Sequence, residues 1–338
     1  MKVGIKAISE LSGYSIATVS NVLNNKRSTN KETREKILRI AREIGYLDEG
    51  KLESVKLIVA KRHGQVVGDT PFFSALIDGI AATCREKGLA FEICNLDRTG
   101  ADYGETRSRL LLDRTAGLLL LGTELLEEDA EPFTHCLAPI LVLDSWHPRL
   151  PLSSVIINNT DSAQRAVEYL IEKGHRKIGY LKSSAVIQNF RERERGLARA
   201  LEKFGVSRNP AWDVPLTPSM DGAYRDMKQY LRTRPALPTA FFADNDMLAL
   251  GAMKALQEEG VRVPEDVSLI GFDDLPFCEI SSPPLTTIKV DKQQMGRMAV
   301  RMLSDCVAQD GGAANFKLAV CTEFIERQSV RDLTAGNE

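Results

Sequence analysis

Ile16, Ala17, Ser20 and Asn21 occupy positions i, i+1, i+4 and i+5 of one short segment, so that on a helix they share a single face. The opposite face carries Val19, Val22 and Leu23, an apolar stripe fit for a core. Small and polar groups exposed together suit close contact with a polar polymer. An asparagine amide sets a donor beside an acceptor, the pattern that pairs with N6 and N7 of adenine in the DNA major groove. The neighbouring segments can position such a helix. Ile5, Ile8 and Leu11, spaced three apart, make a first amphipathic helix, and Gly13 in Ser12-Gly13-Tyr14-Ser15 can take the positive φ that ends it. Ser15 is a good N-cap for the second helix. Two short helices, a glycine turn and an exposed polar start to the second helix form the pattern of a helix-turn-helix. Asn30 would cap a third helix over KETREKILRIAREIGY, with Glu32 and Glu35 near its positive end and Ile37, Leu38, Ile40, Ala41 and Ile44 facing inward.

Charge divides the chain the same way. Residues 1–46 hold nine Lys/Arg and four Asp/Glu, a net of +5; the whole chain is −2, so the remainder carries −7. A basic head on an acidic body suits a phosphate-binding module joined to a body that does not bind DNA. A hydrophobic fraction of 43% with 27% charged residues is ordinary for a soluble globular protein. No apolar run reaches 18 residues and MKVGIKAIS has no signal-peptide core, so the expectation is a cytoplasmic chain with no membrane partner. Cys84, Cys94, Cys136, Cys278, Cys306 and Cys321 are scattered, without a CxxC or metal-ligand spacing. They read as reduced thiols, and no metal or cofactor is expected.

From residue 55 strands and helices alternate. Apolar runs at 55–60, 90–95, 117–121, 139–144 and 155–159 are separated by helical patterns near 73–87, 103–113 and 127–136. The pattern restarts with helices near 160–173, 191–204, 219–232 and 246–259 and strands at 177–182, 239–243 and 267–272. TTIKV, a helix near 291–310 and AVCTEFIE follow. Short, continuously apolar strands alternating with helices predict two successive doubly wound α/β units with parallel sheets. In such folds ligands lie beyond the C-terminal strand ends, and two facing units would hold one between them. The residues just after strands are therefore the candidates: Phe72 and Phe73, Asp144 to Trp146, Gln188 to Arg193, Asn245 and Asp246, and Asp273 and Asp274.

Many ordered stretches resemble the lactose-repressor/galactose-repressor family of bacterial transcription regulators. In the head these are Ala17-Thr18-Val19-Ser20, Val22-Leu23-Asn24, Thr33 to Ile37 and Ile44-Gly45-Tyr46. In the body they are Thr70 to Phe73, Glu172 to Gly179, Asn245 to Ala252, Val263 to Asp274, Pro284 to Ile288 and Ile325 to Ser329. The resemblance implies a headpiece, a hinge and a core similar to periplasmic sugar-binding proteins (type I). The implied divisions are a head at 1–46, a short linker at 47–54 and a core at 55–338. Within the core, one subdomain covers 55–158 and 289–318, the other 161–286 and 321–330. It also implies a homodimer on a pseudo-palindromic double-stranded operator, acting as a repressor. Ser15, Thr18, Asn24 and Arg34 join Ile16, Ala17, Ser20 and Asn21 as the expected DNA-binding set. Asn21 stands where many members carry a guanine-reading arginine. The linker is acidic and contains Gly50, which suits a plain connection better than a helix wedging Leu52 into the minor groove.

The same resemblance makes Arg193, Asn245 and Asp273 effector-binding positions, with Asp144 a fourth polar candidate and Phe72, Phe73 and Trp146 as apolar walls. Arginine, asparagine and aspartate beside flat apolar faces suit the hydroxyls and C–H faces of a sugar or sugar-like polyol. Plainer roles compete: Asp144 as a turn cap, Phe73 as core, Asp246 and Asp274 as helix caps, Arg195 in a surface ion pair and His175 as structural. Alternative controllers are a protein partner or a non-sugar ligand such as a nucleobase. An enzyme is not expected: no G-x-S-x-G, H-E-x-x-H, G-x-G-x-x-G or P-loop occurs, and His63, His135, His147 and His175 lack an evident Ser or Cys partner. A solute-binding protein without regulation would need a signal peptide and no basic head.

Overall fold

The computed structural model describes residues 4–23, 29–44, 46, 52–68, 71–308 and 315–334. The head comprises α1 (Ile5–Ser12), α2 (Ile16–Leu23) and α3 (Lys31–Glu43). Gly13 ends α1 at φ 75°, its N–H reaching the Ser9 carbonyl at 3.0 Å. Ser15 Oγ caps α2 by accepting from the Thr18 N–H at 3.1 Å, and Asn30 caps α3 through the Glu32 N–H at 3.0 Å. Ile8, Val19, Val22, Leu23, Ile37, Ile40 and Ala41 make the small shared core.

The first unit runs β1 (Ser54–Lys61), α4 (Pro71–Glu86), β2 (Ala90–Asp97), α5 (Tyr103–Leu112), β3 (Ala116–Leu121), α6 (Glu127–Ala130), β4 (Ile140–Leu143) and β5 (Ser154–Ile157). The second follows with α7 (Asn159–Glu172), β6 (Ile178–Ser183), α8 (Gln188–Lys203), β7 (Asp213–Leu216), α9 (Met220–Arg232), β8 (Ala240–Ala243), α10 (Asp246–Glu258), β9 (Ser268–Ile270) and α11 (Phe277–Ile280). The chain then returns through β10 (Thr287–Val290), α12 (Lys292–Ala308), β11 (Lys317–Val320) and β12 (Thr322–Ile325). The first sheet has order β11-β5-β4-β3-β1-β2 and the second β7-β6-β8-β9, with all these pairings parallel. An antiparallel ribbon of β10 and β12 lies at the return crossings.

Both faces of the first sheet are buried at its central strands. Leu57, Leu119 and Leu121 point into one core, and Ile58, Leu118 and Leu120 into the other, which is why these strands read as unbroken apolar runs. Helices pack pairwise over the sheets at glycines. Gly79 in α4 faces the Gln293 backbone, and Gly196 in α8 faces Thr160 and Ala163 of α7; a Cβ at either would collide with backbone.

Several elements differ from the sequence expectation. The helix expected near 127–136 is a single α-turn followed by a 3-10 segment, Glu131–His135, because Pro132 cannot donate to an i−4 ladder. β7 and α11 were not expected: β7 is four residues with a proline, too short for a periodic signal. AVCTEFIE is two strands, parted at Cys321, which belong to different sheets.

Candidate functional site

The head presents the start of α2 outward. Ser15, Ile16 and Ala17 are exposed, Thr18, Ser20 and Asn21 half-buried. The Ser15 hydroxyl also lies 2.9 Å from Thr18 Oγ1, so both side chains belong to the cap as well as to the exposed surface. Arg34 is half-buried and donates to the His135 carbonyl at 3.2 Å, an engagement with the body rather than an open surface position. Asn24 lies outside the described residues, as do linker positions 47–51. Leu52 packs on the body: it and Leu303 lie over Gly117 of β3, where a Cβ would come within 2.8 Å of each.

The C-terminal ends of the strands in both sheets converge on one cavity of about 40 Å³. Its lining includes Val66, Phe72 and Phe73 after β1, Thr123 after β3, Asp144 after β4 and Ile157 ending β5, all of the first unit. From the second come Asn189, Phe190 and Arg193 of α8, Asn245 and Met247 at α10, and Asp273 and Leu275 after β9. Phe72 and Phe73 meet edge to face with centroids 5.1 Å apart. Asp144 and Asp273 adopt positive φ, 63° and 114°, a strain that turns each side chain back at its strand end.

A continuous hydrogen-bond chain crosses this cavity. Thr123 Oγ1 donates to Asp144 Oδ2 at 2.6 Å, and Asn189 Nδ2 donates to Asp144 Oδ1 at 2.9 Å, joining the two units directly. Asn159 Nδ2 donates to Asn189 Oδ1 at 3.0 Å and its own Oδ1 accepts from Arg193 Nε at 2.8 Å. The Arg193 guanidinium also donates to the Asp244 carbonyl, lies 3.4 Å from Asp273 Oδ1 and stacks 3.7 Å from the Phe272 ring. Lys292, leading α12, donates to the carbonyls of Asp273, Asp274 and Val290.

Carboxylates outnumber cations here. Asp144, Asp244, Asp246 and Asp273 are all buried, against Arg193 and Lys292. Burial pushes Asp144 up to about 6; Thr123, the Arg193 charge and Asn189 counter it only partly. Asp244, held by Tyr180 Oη and the Ser183 N–H, is likewise pushed up by burial, to about 7. Asp273 is raised by burial against the pull of Arg193 and Lys292.

Of the expected effector set, Phe72, Phe73, Asp144, Arg193, Asn245 and Asp273 meet at the cavity; Trp146 does not line it. The Trp146 ring lies under Lys317 of β11, 3.6 Å from Nζ, because the loop after Asp144 turns toward the sheet edge. Asn245 caps α10 by accepting from the Leu248 N–H at 3.1 Å. Asp246 accepts from the Leu275 N–H and Thr287 Oγ1, while Asp274 pairs with Arg327 at 2.8 Å, so both brace loops rather than cap helices. Arg195 pairs with Glu192 on the surface, and His175 bonds Thr239 and the Arg331 carbonyl. Sequence reasoning did not single out Thr123, Asn159, Asn189, Asp244 or Lys292. Asn189 fell in the inspected 188–193 window, but only its contact with Asp144 distinguishes it. Among the described residues no cluster of His, Cys, Asp and Glu could hold a metal ion, and no helix is long and apolar enough to cross a membrane.

Comparison with known proteins accounts for both modules. The profile for bacterial regulatory proteins of the lacI family matches residues 4–48, and that for a periplasmic binding protein-like domain matches 167–330. The HTH-type transcriptional repressor PurR of Haemophilus influenzae (strain PittEE) is 31% identical over 334 residues, covering 97% of this chain and 99% of that protein. PurR of Vibrio cholerae (serotype O1, strain M66-2) is 32% identical over 337 residues, with 98% of each covered. The solved complex of transcriptional regulator CelR with cellobiose superposes with a TM-score of 0.73 at 26% identity, covering 97% of this chain and 100% of that one. The lac repressor dimer bound to operator and the anti-inducer ONPF has the same fold, at TM-score 0.72 and 24% identity, covering 98% of this chain and 100% of that one.

Proposed function

Because this chain belongs to the lacI family of bacterial regulatory proteins and is a DNA-binding transcriptional repressor, we propose that its effector is a sugar or sugar-like polyol held between the two α/β units. The observation that carries this is the division of polar groups between two facing walls. Thr123 and Asp144 stand on one, Asn189, Arg193, Asn245 and Asp273 on the other, beside the phenyl rings of Phe72, Phe73 and Phe190. Donors and acceptors alternate along this line, as ring hydroxyls require, and the phenyl faces suit C–H groups. A ligand touching both walls would replace the Asn189–Asp144 bond. It would change how far the units stand apart, and so the spacing of two heads in a homodimer on a pseudo-palindromic operator. Its leverage equals its differential affinity for the two states. The exposed start of α2 is the groove-facing surface of each head.

A nucleobase is the second reading, favoured by the three phenylalanine rings, which would stack a flat heterocycle. A thermal-shift panel of sugars and nucleobases, followed by calorimetry, separates the two. Asp273→Asn is the informative variant, since asparagine tolerates the positive φ that alanine would not. Effector affinity should fall roughly tenfold or more, with ligand-free operator affinity unchanged. Unaltered effector affinity, or lost operator binding in a folded variant, would place the effector elsewhere.

A further inference from the structure

Glu124 follows Thr123 on the loop after β3 and is 1% exposed. The His63 ring lies close, with Nδ1 3.4 Å from Oε2 and that nitrogen accepting from the Gln65 N–H at 3.2 Å, but the hydrogen bonds come from backbone. Glu124 Oε2 accepts from the N–H groups of Arg62 at 3.0 Å, His63 at 3.0 Å and Gly64 at 2.8 Å, and Oε1 from Val66 at 2.8 Å and Val67 at 2.9 Å. The segment after β1 thus winds around one carboxylate, reversing at Gly64 with φ 66°. Burial alone would push this acid up, but the five N–H bonds outweigh it and hold the group ionised below its ordinary range. The Arg62 side chain is fastened separately to Glu128 at 3.0 Å and to Asp129, and Arg98 binds Asp129 at 2.6 Å. Val67 packs into the core with Phe72 and Phe73, and Val66 lines the cavity.

We propose that Glu124 is a positioning residue for effector recognition: its carboxylate gathers the backbone of residues 62–67 and thereby sets the cavity wall that Val66 supplies and the approach to Phe72 and Phe73. Arg62 and Val67 anchor the two ends of the loop, and between them its amides point inward at this single acceptor instead of pairing in a sheet. The adjacent Thr123 holds Asp144, so one two-residue step places both an apolar and a polar part of the same wall. The consequence for recognition rests on the effector reading above; the holding of the loop does not.

The test compares wild type with Glu124→Gln and Glu124→Asp in the full-length protein. Gln keeps the shape but turns an NH2 group against amide donors. Asp keeps the charge on a shorter stem. Amide hydrogen exchange of the 62–68 peptide should accelerate by roughly tenfold or more in Glu124→Gln, with the 178–183 peptide of β6 unchanged. Glu124→Asp should retain more protection than Glu124→Gln, because charge rather than volume organises the loop. Calorimetry with cellobiose and with D-ribose should show, for whichever binds wild type, roughly tenfold weaker binding to Glu124→Gln and unaltered sugar-free operator affinity. Unchanged exchange at 62–68 in folded Glu124→Gln overturns the proposal. So does released exchange with undiminished sugar affinity. If neither sugar binds wild type, the sugar reading suffers alone, and exchange together with the crystallographic position of Val66 in the variant still decides the role of Glu124. If Glu124→Gln does not fold, Glu124→Asp is judged by the same readings.

Discussion

The aspartates of the cavity are held in ways their side chains make possible. Asp144 sits at φ 63° and Asp273 at φ 114°, where short polar side chains are tolerated better than branched ones. Asp144 bonds only neutral donors, and these together with the Arg193 charge offset its burial only in part, so its folded value rises to about 6. A raised carboxyl contributes stability that is complete below its unfolded value and is lost as pH rises through the folded one. Asp144→Asn should remove that loss: Asn189 can still donate to its carbonyl, and the Thr123 hydroxyl can turn from donor to acceptor. Between about pH 5 and pH 8 the variant should gain on wild type by roughly 1–3 kcal/mol. Denaturant midpoints at the two pH values measure this, and a gap independent of pH would mean that Asp144 titrates as an ordinary carboxyl. In the head, Asn21 lies half-buried on α2, on the face proposed to meet the groove. Operators selected from random DNA should prefer adenine at one symmetric position with wild type and shift toward guanine with Asn21→Arg, a change worth about 1–3 kcal/mol. An identical consensus for the two proteins would remove Asn21 from base readout.

At the scale of elements, the placement of Leu52 bears on how DNA would be deformed. A leucine used as a minor-groove wedge must leave the body, and Leu52 instead covers Gly117 beside Leu303. The room for it exists because position 117 in β3 has no side chain. The body therefore competes with DNA for Leu52, and the acidic residues before it would meet phosphates unfavourably. Bending measured by circularly permuted operator fragments should be small, and Leu52→Ala should alter it little while lowering the thermal midpoint of the body. A sharp central kink that disappears in Leu52→Ala would show that the leucine does move to the groove.

At the scale of the whole molecule, the two units are joined by covalent crossings, by Lys292 reaching across to the 273–274 carbonyls and by the Asn189–Asp144 bond. The cavity of about 40 Å³ is well below the few hundred Å³ that ligand sites usually enclose. Admission of a ligand as large as a sugar would therefore require the walls to part, and the bond easiest to part is the one without a formal charge on its donor. Asn189→Ala should shift the ensemble toward a wider cleft, read in small-angle scattering as a larger radius of gyration for the ligand-free protein. A scattering curve identical to wild type would mean that other contacts hold the units together.

Signals within a few residues were legible without tertiary structure. The head followed from a 3.6-residue periodicity, a glycine turn and caps at Ser15 and Asn30, all of which are local. The two α/β units followed from apolar runs, and the strand-end rule pointed to Phe72 and Phe73, Asp144 to Trp146, Gln188 to Arg193, Asn245 and Asp246, and Asp273 and Asp274, among which the family resemblance singled out Arg193, Asn245 and Asp273. Pairings across long separations were not legible. Asn189 meets Asp144 across 45 positions and Glu124 collects amides 57 to 62 positions earlier, contacts that no periodicity encodes. Trp146, two residues from Asp144, turned to Lys317 instead because the loop after β4 leaves toward the sheet edge. Sequence spacing determines which face of an element a side chain occupies. Only the arrangement of one unit against the other decides which of those faces meet, because that depends on side chains packed from distant parts of the chain.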